Sequence, residues 1–323
     1  MKNEVVFVAF RKLGLSGRGK VTPGFFMPIF EEVLSTYGVA CRHYWADEFA
    51  AEHRNHPDAV VVLIYNEVQF TLDAALRQEV EEVERLATNG NRLIIHETAV
   101  GRVVADKVLT NQKLQNAGVS VPRLVSSARA PFTVFSNVNI GTAEPVQLLK
   151  AGAELDPSRY NTEFVDTRRL FKNRPYYVYL RAMCVGPVCV SITVRARPTD
   201  ENDPSVHGSD MPLDAELVNH LHSRIVAPQE PAINDICKRI GMLFGTGFFS
   251  HDILPTNDAA TTLFVCETGF KFDEDGFRVR FEPLKEQIPS HDFVGAMHRA
   301  SHAFLAQVRE SGFLLPGGCR AGN

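Results

Sequence analysis

Two carboxylates close two apolar runs in this chain. Phe248-Phe249-Ser250-His251-Asp252 and Leu263-Phe264-Val265-Cys266-Glu267 read as paired strands joined by Pro255-Thr256-Asn257-Asp258. A hairpin would set Asp252 beside Glu267. Two carboxylates held close repel, and a hard divalent cation relieves that repulsion. Magnesium held there can bridge the β- and γ-phosphates of ATP. The plainer alternative is a pair of ordinary strand-end acids.

A second chemical feature is a cation at a helix start. Residues 106–123 read DKVLTNQKLQNAGVSVPR. Val108, Leu109, Leu114 and Ala117 give a short helical face, Gly118 follows as a C-cap, and Pro122 blocks continuation. Lys107 then sits at the positive end of the helix dipole, where repulsion is mildly unfavourable and an anion such as phosphate would account for it. A further match, Gly14-Leu15-Ser16-Gly17-Arg18-Gly19-Lys20, fits the G-x-x-x-x-G-K spacing of a P-loop. A P-loop needs Ser or Thr next and a helix opening there. Val21 and Pro23-Gly24 meet neither need. What remains is a solvated loop, or a backbone nest whose Arg18 and Lys20 would help bind an anionic substrate.

The elements that must carry these groups come in three blocks. Glu4 to Phe10, Val39 to Tyr44, Ala59 to Tyr65 and Arg92 to His96 read as strands. Helical stretches from Phe25 to Tyr37 and from Leu72 to Leu86 fall between them. The near-continuous apolar run of Ala59 to Tyr65 suits a parallel strand covered on both faces, so residues 1–96 form an α/β unit. Residues 97–172 form a small mixed unit with a linking helix, strands at Phe132 to Phe135 and Tyr160 to Val165, and a helical Ala143 to Lys150. Residues 173–323 form an antiparallel α+β unit. It holds a hairpin from Tyr176 to Val194 that turns at Val185-Gly186-Pro187, a mobile loop from Arg197 to Pro212, and an amphipathic helix from Ile233 to Phe244. The Asp252/Glu267 strands and a closing helix from His291 to Arg309 complete it.

The 323 residues are 45% hydrophobic and 22% charged, enough for two or three packed subdomains. The net charge of -4 and the scattered Lys and Arg leave nucleic-acid binding unsupported. None of the six cysteines forms a Cys-x-x-Cys pair; they read as buried free thiols of a reducing compartment, not as disulfides or a zinc site. No apolar stretch approaches the roughly 20 residues of a membrane span, and the N-terminus lacks signal-peptide character. The expectation is a cytoplasmic protein without membrane partners.

The Lys107 helix, Asn161-Thr162-Glu163-Phe164-Val165, the Tyr179-to-Arg195 hairpin and the Asp252/Glu267 strands come in an order and spacing that resemble the ATP-grasp enzymes over residues 96 to 270. The resemblance implies an ATP-grasp fold: a parallel α/β domain followed by two α+β subdomains that enclose the nucleotide. It implies that Lys107 contacts ATP phosphate and that Glu163, Phe164 and Val165 form the hinge against adenine. Arg181 and Arg195 would face the transferring phosphoryl group and an acyl phosphate, work that suits guanidinium groups. Asp252 and Glu267 would hold Mg2+. The implied activity is ATP-dependent activation of a small-molecule or peptide carboxylate for attack by an amine. The Arg197-to-Pro212 loop would act as a lid, with His207 and His251 as candidate substrate contacts. A homodimer is the family-level expectation.

Three positions depart from the family pattern. Phe135 stands where a second phosphate-contacting Lys is usual, and the glycine-rich loop after it shrinks to Ile140-Gly141-Thr142. Tyr179 replaces the ribose-binding acid. The metal motif ends Glu267-Thr268-Gly269 in place of Glu-x-Asn. Each lost charge-assisted contact is worth about 1.5–3 kcal/mol. Asp166, Lys150 and Lys172 are candidate replacements. The departures keep two alternatives open: a nucleotide- or substrate-binding protein with weak or no ligase activity, and a small-molecule kinase.

Overall fold

The computed structural model describes residues 3–10, 26–141, 146–201, 214–258, 260–270 and 282–313. Its first block alternates strand and helix: β1 (Glu4–Ala9), α1 (Phe26–Thr36), β2 (Ala40–Trp45), α2 (Ala46–Glu52), β3 (Val60–Ile64), α3 (Glu67–Leu72), α4 (Ala74–Thr88) and β4 (Leu93–Ile95). The four strands pair in parallel in the order β2-β1-β3-β4. Strand alternation divides their side chains between two cores. Val6, Val8, Val61 and Leu63 pack under Phe49, Leu76 and Val80. Val5, Phe7, Val60 and Val62 pack on the other face with Phe30 and Leu34. Burial on both faces explains the uninterrupted apolar run at 59–65.

Two helices lead out of this block, α5 (Thr98–Ala105) and α6 (Lys107–Asn116). Sequence alone does not separate the first from its neighbour; its buried face is Thr98, Gly101, Val104 and Ala105, which holds a single large apolar residue. A small antiparallel sheet follows, with β5 (Val134–Asn137), β6 (Gln147–Leu149) and β7 (Tyr160–Glu163) in the order β6-β5-β7. The expected helix from Ala143 to Lys150 is thus a strand over its described part. A run that short cannot recover the cost of nucleating a helix, whereas pairing with β5 satisfies an otherwise open sheet edge.

The large antiparallel sheet holds β8 (Arg169–Phe171), β9 (Arg174–Val185), β10 (Val188–Pro198), β11 (Phe248–Pro255) and β12 (Leu263–Gly269), in the order β10-β9-β11-β12 with β8 also on β9. Between β10 and β11 run α7 (Ala215–Leu221), a π-helical turn (His222–Val226) and α8 (Ala227–Phe244). The first residues of the expected lid loop belong to β10, since Arg197 and Pro198 pair with Tyr177 and Tyr176. Positions 202–212 of that loop, His207 among them, lie outside the described residues, as do Arg18, Lys20 and the rest of the 14–20 glycine loop.

One face of the large sheet is covered by α8, through Ile233, Cys237 and Ile240. The end of the other face carries Met183, Val185 and Phe248 into the core shared with β1, β3 and α9 (Phe293–Glu310). Phe248 stacks on Phe304 at 5.4 Å, so the closing helix joins the parallel and antiparallel sheets. The β9–β10 turn needs a glycine twice over. Gly186 has φ +49°, and a Cβ at Gly241 of α8 would lie 2.2 Å from the Pro187 backbone nitrogen.

Candidate functional site

Register builds the site. Arg181 of β9 lies opposite Asp252 of β11, and Asp252 lies opposite Glu267 of β12, so one row of side chains crosses three strands. The next row adds Tyr179 opposite Arg195 of β10. Opposed residues of antiparallel strands share a face. The register shift between Asp252 and Ile253 makes Cys266 the extra residue of a β-bulge, a feature common beside functional sites.

Arg181 donates to Asp252 through Nε at 2.7 Å and through a terminal nitrogen at 2.8 Å, a bidentate pair. Both side chains are only 12% exposed. Burial opposes the charge of Arg181, but the Asp252 carboxylate outweighs it and holds the guanidinium above its usual range. Arg195 is buried and donates to the Tyr179 hydroxyl at 2.8 Å. Burial, and then the Asp252 charge, push the Tyr179 phenol well up, so it stays protonated. Glu267 is partly buried and adds to the same field.

Lys107 is buried at the start of α6, and its ammonium donates to the carbonyls of Gly141 (2.9 Å) and Asn139 (3.4 Å). The shortened loop after β5 therefore lies directly on this lysine. The helix start is capped within the protein. Asp106 Oδ1 accepts from Leu109 N–H, and Asn139 Oδ1 accepts from Val108 N–H. The buried face of α6 is Lys107, Thr110, Asn111 and Leu114; of the expected Val108, Leu109, Leu114 and Ala117 it includes only Leu114. Spacing i, i+3, i+4, i+7 is helical, but the stripe is polar because it meets hydrogen-bonding partners. Thr110 donates to Val103 O, and Asn111 donates to Pro122 O and to the Tyr160 hydroxyl.

The hinge segment joins the two antiparallel sheets. Glu163 N–H donates to Arg123 O and Phe164 N–H to Thr133 O, while the Glu163 carboxylate pairs with Arg123 at 3.0 Å. Phe164 meets Tyr177 edge-on, and Val165 is partly buried. On β5, Phe135 shares a face with Thr162 and with the Tyr160 that bonds Asn111, so it faces α6.

Four of the expected site residues, Arg181, Arg195, Asp252 and Glu267, thus share one sheet face. Lys107 and the 163–165 hinge lie on the side of the small sheet. His251 does not join them. Its neighbour Asp252 points to the site face, so strand alternation sends His251 into the opposite core, where it is 0% exposed. His56 is a buried partner of Glu4 at 2.7 Å. Asp166 pairs with Arg168, and Lys172 with Glu216. Sequence reasoning missed Asn111, Tyr160 and the Tyr179–Arg195 bond. Only Asn111 left a signal, its i+4 spacing from Lys107.

No family model matches the chain, and no curated protein matches it in sequence. Solved structures do match in shape. The ATP-grasp ligase PsnB, complexed with a phosphomimetic variant of its minimal precursor, Mg and ADP, superposes with a TM-score of 0.54 at 12% identity, over 95% of this chain and 97% of that one. The D-alanine–D-alanine ligase of Bacillus anthracis superposes with a TM-score of 0.50 at 10% identity, over 96% and 99%. With its sheets in this order and nearly the whole of both chains aligned, this chain has the ATP-grasp fold.

Proposed function

We propose that the chain is an ATP-dependent ligase that activates a small-molecule or peptide carboxylate as an acyl phosphate for attack by an amine. The observation that carries this reading is the row Arg181–Asp252–Glu267 across three strands, with Arg195 in the next row. It joins hard oxygen donors to fixed guanidinium groups on one face. PsnB structures of the same fold hold a minimal precursor with Mg and ADP, and another holds a precursor peptide with AMPPNP, which favours a peptide among the carboxylate substrates.

Asp252 and Glu267 fit Mg2+ as donors. Each Asp252 oxygen accepts one hydrogen bond from Arg181 and keeps lone-pair capacity. When bound, the metal neutralises charge on the β- and γ-phosphates. Lys107 supplies positive charge at the shortened loop, and adenine would meet Val165 N–H, since the amides of Glu163 and Phe164 already donate to carbonyls. A substrate carboxylate oxygen attacks the γ-phosphorus and ADP leaves. The amine then attacks the acyl carbon, phosphate leaves, and the amine proton passes to solvent. Arg181 and Arg195 stabilise the negative charge in both steps, so catalysis is positioning and electrostatics.

The test is phosphate release from MgATP in the presence of candidate carboxylates and amines. The ligase reading expects an amide product that Glu267→Ala abolishes. Failure of MgATP to raise the melting temperature would sink every ATP-using reading. A second reading is a nucleotide-binding protein with little turnover. Phe135 in the place of a lysine favours it, and tight MgADP binding without product in any substrate panel would establish it. Phosphorylated substrate accumulating without an amine would identify a kinase.

A further inference from the structure

The face of the large sheet opposite the candidate site holds a cluster that the ligase chemistry does not use. Cys184 of β9, Cys237 of α8 and His251 of β11 bring two sulfurs and a ring nitrogen within 4.8 Å of one another, all in buried positions. Each of the three residues is 0% exposed. Cys189 of β10 is the register partner of Cys184, and its thiol interacts with those of both Cys184 and Cys237. The four residues come from three adjacent strands and the helix above them. Cys184 and Cys189 stand at C-x4-C spacing across the β9–β10 turn, while Cys237 and His251 are distant in sequence and reach them only through the fold.

The histidine is held as a ligand would be. Its Nδ1 lies 3.2 Å from the Thr268 hydroxyl, on the neighbouring strand. Its Nε2 is buried and makes no hydrogen bond. Metal-ligating histidines characteristically engage one ring nitrogen with an oxygen and so orient the other. Leaving a buried nitrogen without a partner carries a desolvation cost that a metal bond would remove. The helix is also brought unusually close. Gly241, one turn beyond Cys237, lets α8 rest on the β9–β10 turn, where a Cβ would meet backbone at 2.2 Å.

We propose that Cys184, Cys189, Cys237 and His251 bind a zinc ion that ties α8 to the back of the sheet. Soft sulfur with imidazole suits zinc and excludes magnesium and calcium, which take oxygen ligands. Tetrahedral bonds of about 2.3 Å to sulfur and 2.0–2.1 Å to nitrogen set ligand atoms roughly 3.8 Å apart, so Cys184, Cys237 and His251, whose ligand atoms lie within 4.8 Å of one another, need contract by only about 1 Å, with Cys189 closing in as the fourth ligand. Charge is consistent with burial. Two thiolates and a neutral imidazole cancel the ion, and a third thiolate lies in the field of Arg299, which donates to Val190 O at 3.0 Å. Each thiol that binds releases one proton to solvent. The site is closed, which makes its role structural and independent of ATP.

The test uses the full chain, expressed in zinc-supplemented medium and dialysed against a chelator. We expect about one zinc per chain by elemental analysis, a loss of nearly all of it in Cys237→Ser and His251→Ala, and full retention in Cys41→Ser, a thiol remote on β2. Because the core variants could fail to fold, the wild-type chain is also prepared in cobalt medium, where a thiolate-to-cobalt charge-transfer band is expected. A metal-free wild-type protein without that band, zinc retained in folded Cys237→Ser, or a disulfide between two of the three thiols by mass spectrometry would each overturn the proposal. ATP hydrolysis is not a readout, so failure here leaves the ligase reading standing, and the reverse.

Discussion

Arg181 and Asp252 neutralise each other in a nearly dry place, which gives them two separable jobs. Removing one partner of a buried pair strands the other charge, at a cost of about 3–5 kcal/mol. Asp252→Ala should therefore lower the thermal midpoint sharply as well as abolish turnover. Glu267→Gln, at a partly buried position on the same row, should abolish turnover with a stability change of about 1 kcal/mol or less. Thermal unfolding read beside phosphate release separates the two. Equal destabilisation by both would mean that Glu267 is structural and would remove it from the proposed metal site. Lys107 calls for a similar split. Its ammonium holds the loop carbonyls of Asn139 and Gly141. Lys107→Ala should lose MgADP binding outright by calorimetry and about 1–3 kcal/mol of stability. A mild effect on binding would count against the nucleotide site as drawn.

At the scale of elements, the legible parts were those whose pattern matched their surroundings. The β1, β3 and β9–β12 runs are apolar because sheet faces bury them, and the closeness of Asp252 and Glu267 follows from adjacent strands joined by a short turn, but their direct opposition comes from the bulge at Cys266, since the Ile253–Val265 register alone would set Asp252 opposite Cys266. The C-terminal boundary of α6 was legible from Gly118 and Pro122. Gly118 has φ +75°, and Gly118 and Val119 N–H groups close the helix onto Gln115 and Leu114 carbonyls. Of its buried face only Leu114 was legible. Thr110 and Asn111 are inside because of partners at Val103, Pro122 and Tyr160, which only the folded chain supplies. The same holds for β6, formed by its neighbour's open edge, and for Arg181, whose pairing with Asp252 is a strand-register fact. Gly241 shows how tightly two elements can depend on one missing atom. Gly241→Ala puts a Cβ against the Pro187 backbone, which cannot rotate away. Overpacking of this kind costs about 1–3 kcal/mol. The thermal midpoint should fall by several degrees, and an unchanged midpoint would mean that α8 slides freely on the turn.

Across the whole molecule, His96 fastens the parallel sheet to the antiparallel one. Its Nδ1 lies 3.1 Å from the Leu63 carbonyl, and its Nε2 accepts from Phe248 N–H at 2.9 Å. A carbonyl only accepts and an amide N–H only donates, so these partners fix the neutral ring with its proton on Nδ1. The ring stacks on Phe270 at 4.1 Å. Burial holds its pKa down at about 4, against hydrogen bonds to Leu63 and Phe248 that raise it. A proton added at Nε2 would displace the Phe248 bond and put a charge in the junction. The unfolded chain takes up that proton near the ordinary histidine value of about 6.5. The folded pKa is the lower of the two, so the stabilisation is complete above pH 6.5 and is lost as pH falls from about 6.5 toward 4. His291, held at about 3 by burial and then by His222, adds to the same acid limb. The contribution of His96 is isolated by His96→Asn. Asparagine tolerates the positive φ of 63° at this position and does not titrate. The variant should be less stable than wild type at pH 7 and should lose less of its midpoint between pH 6.5 and 4.5. Parallel midpoint curves for the two proteins would show that the junction is indifferent to this proton, and the acid limb would then belong to other groups.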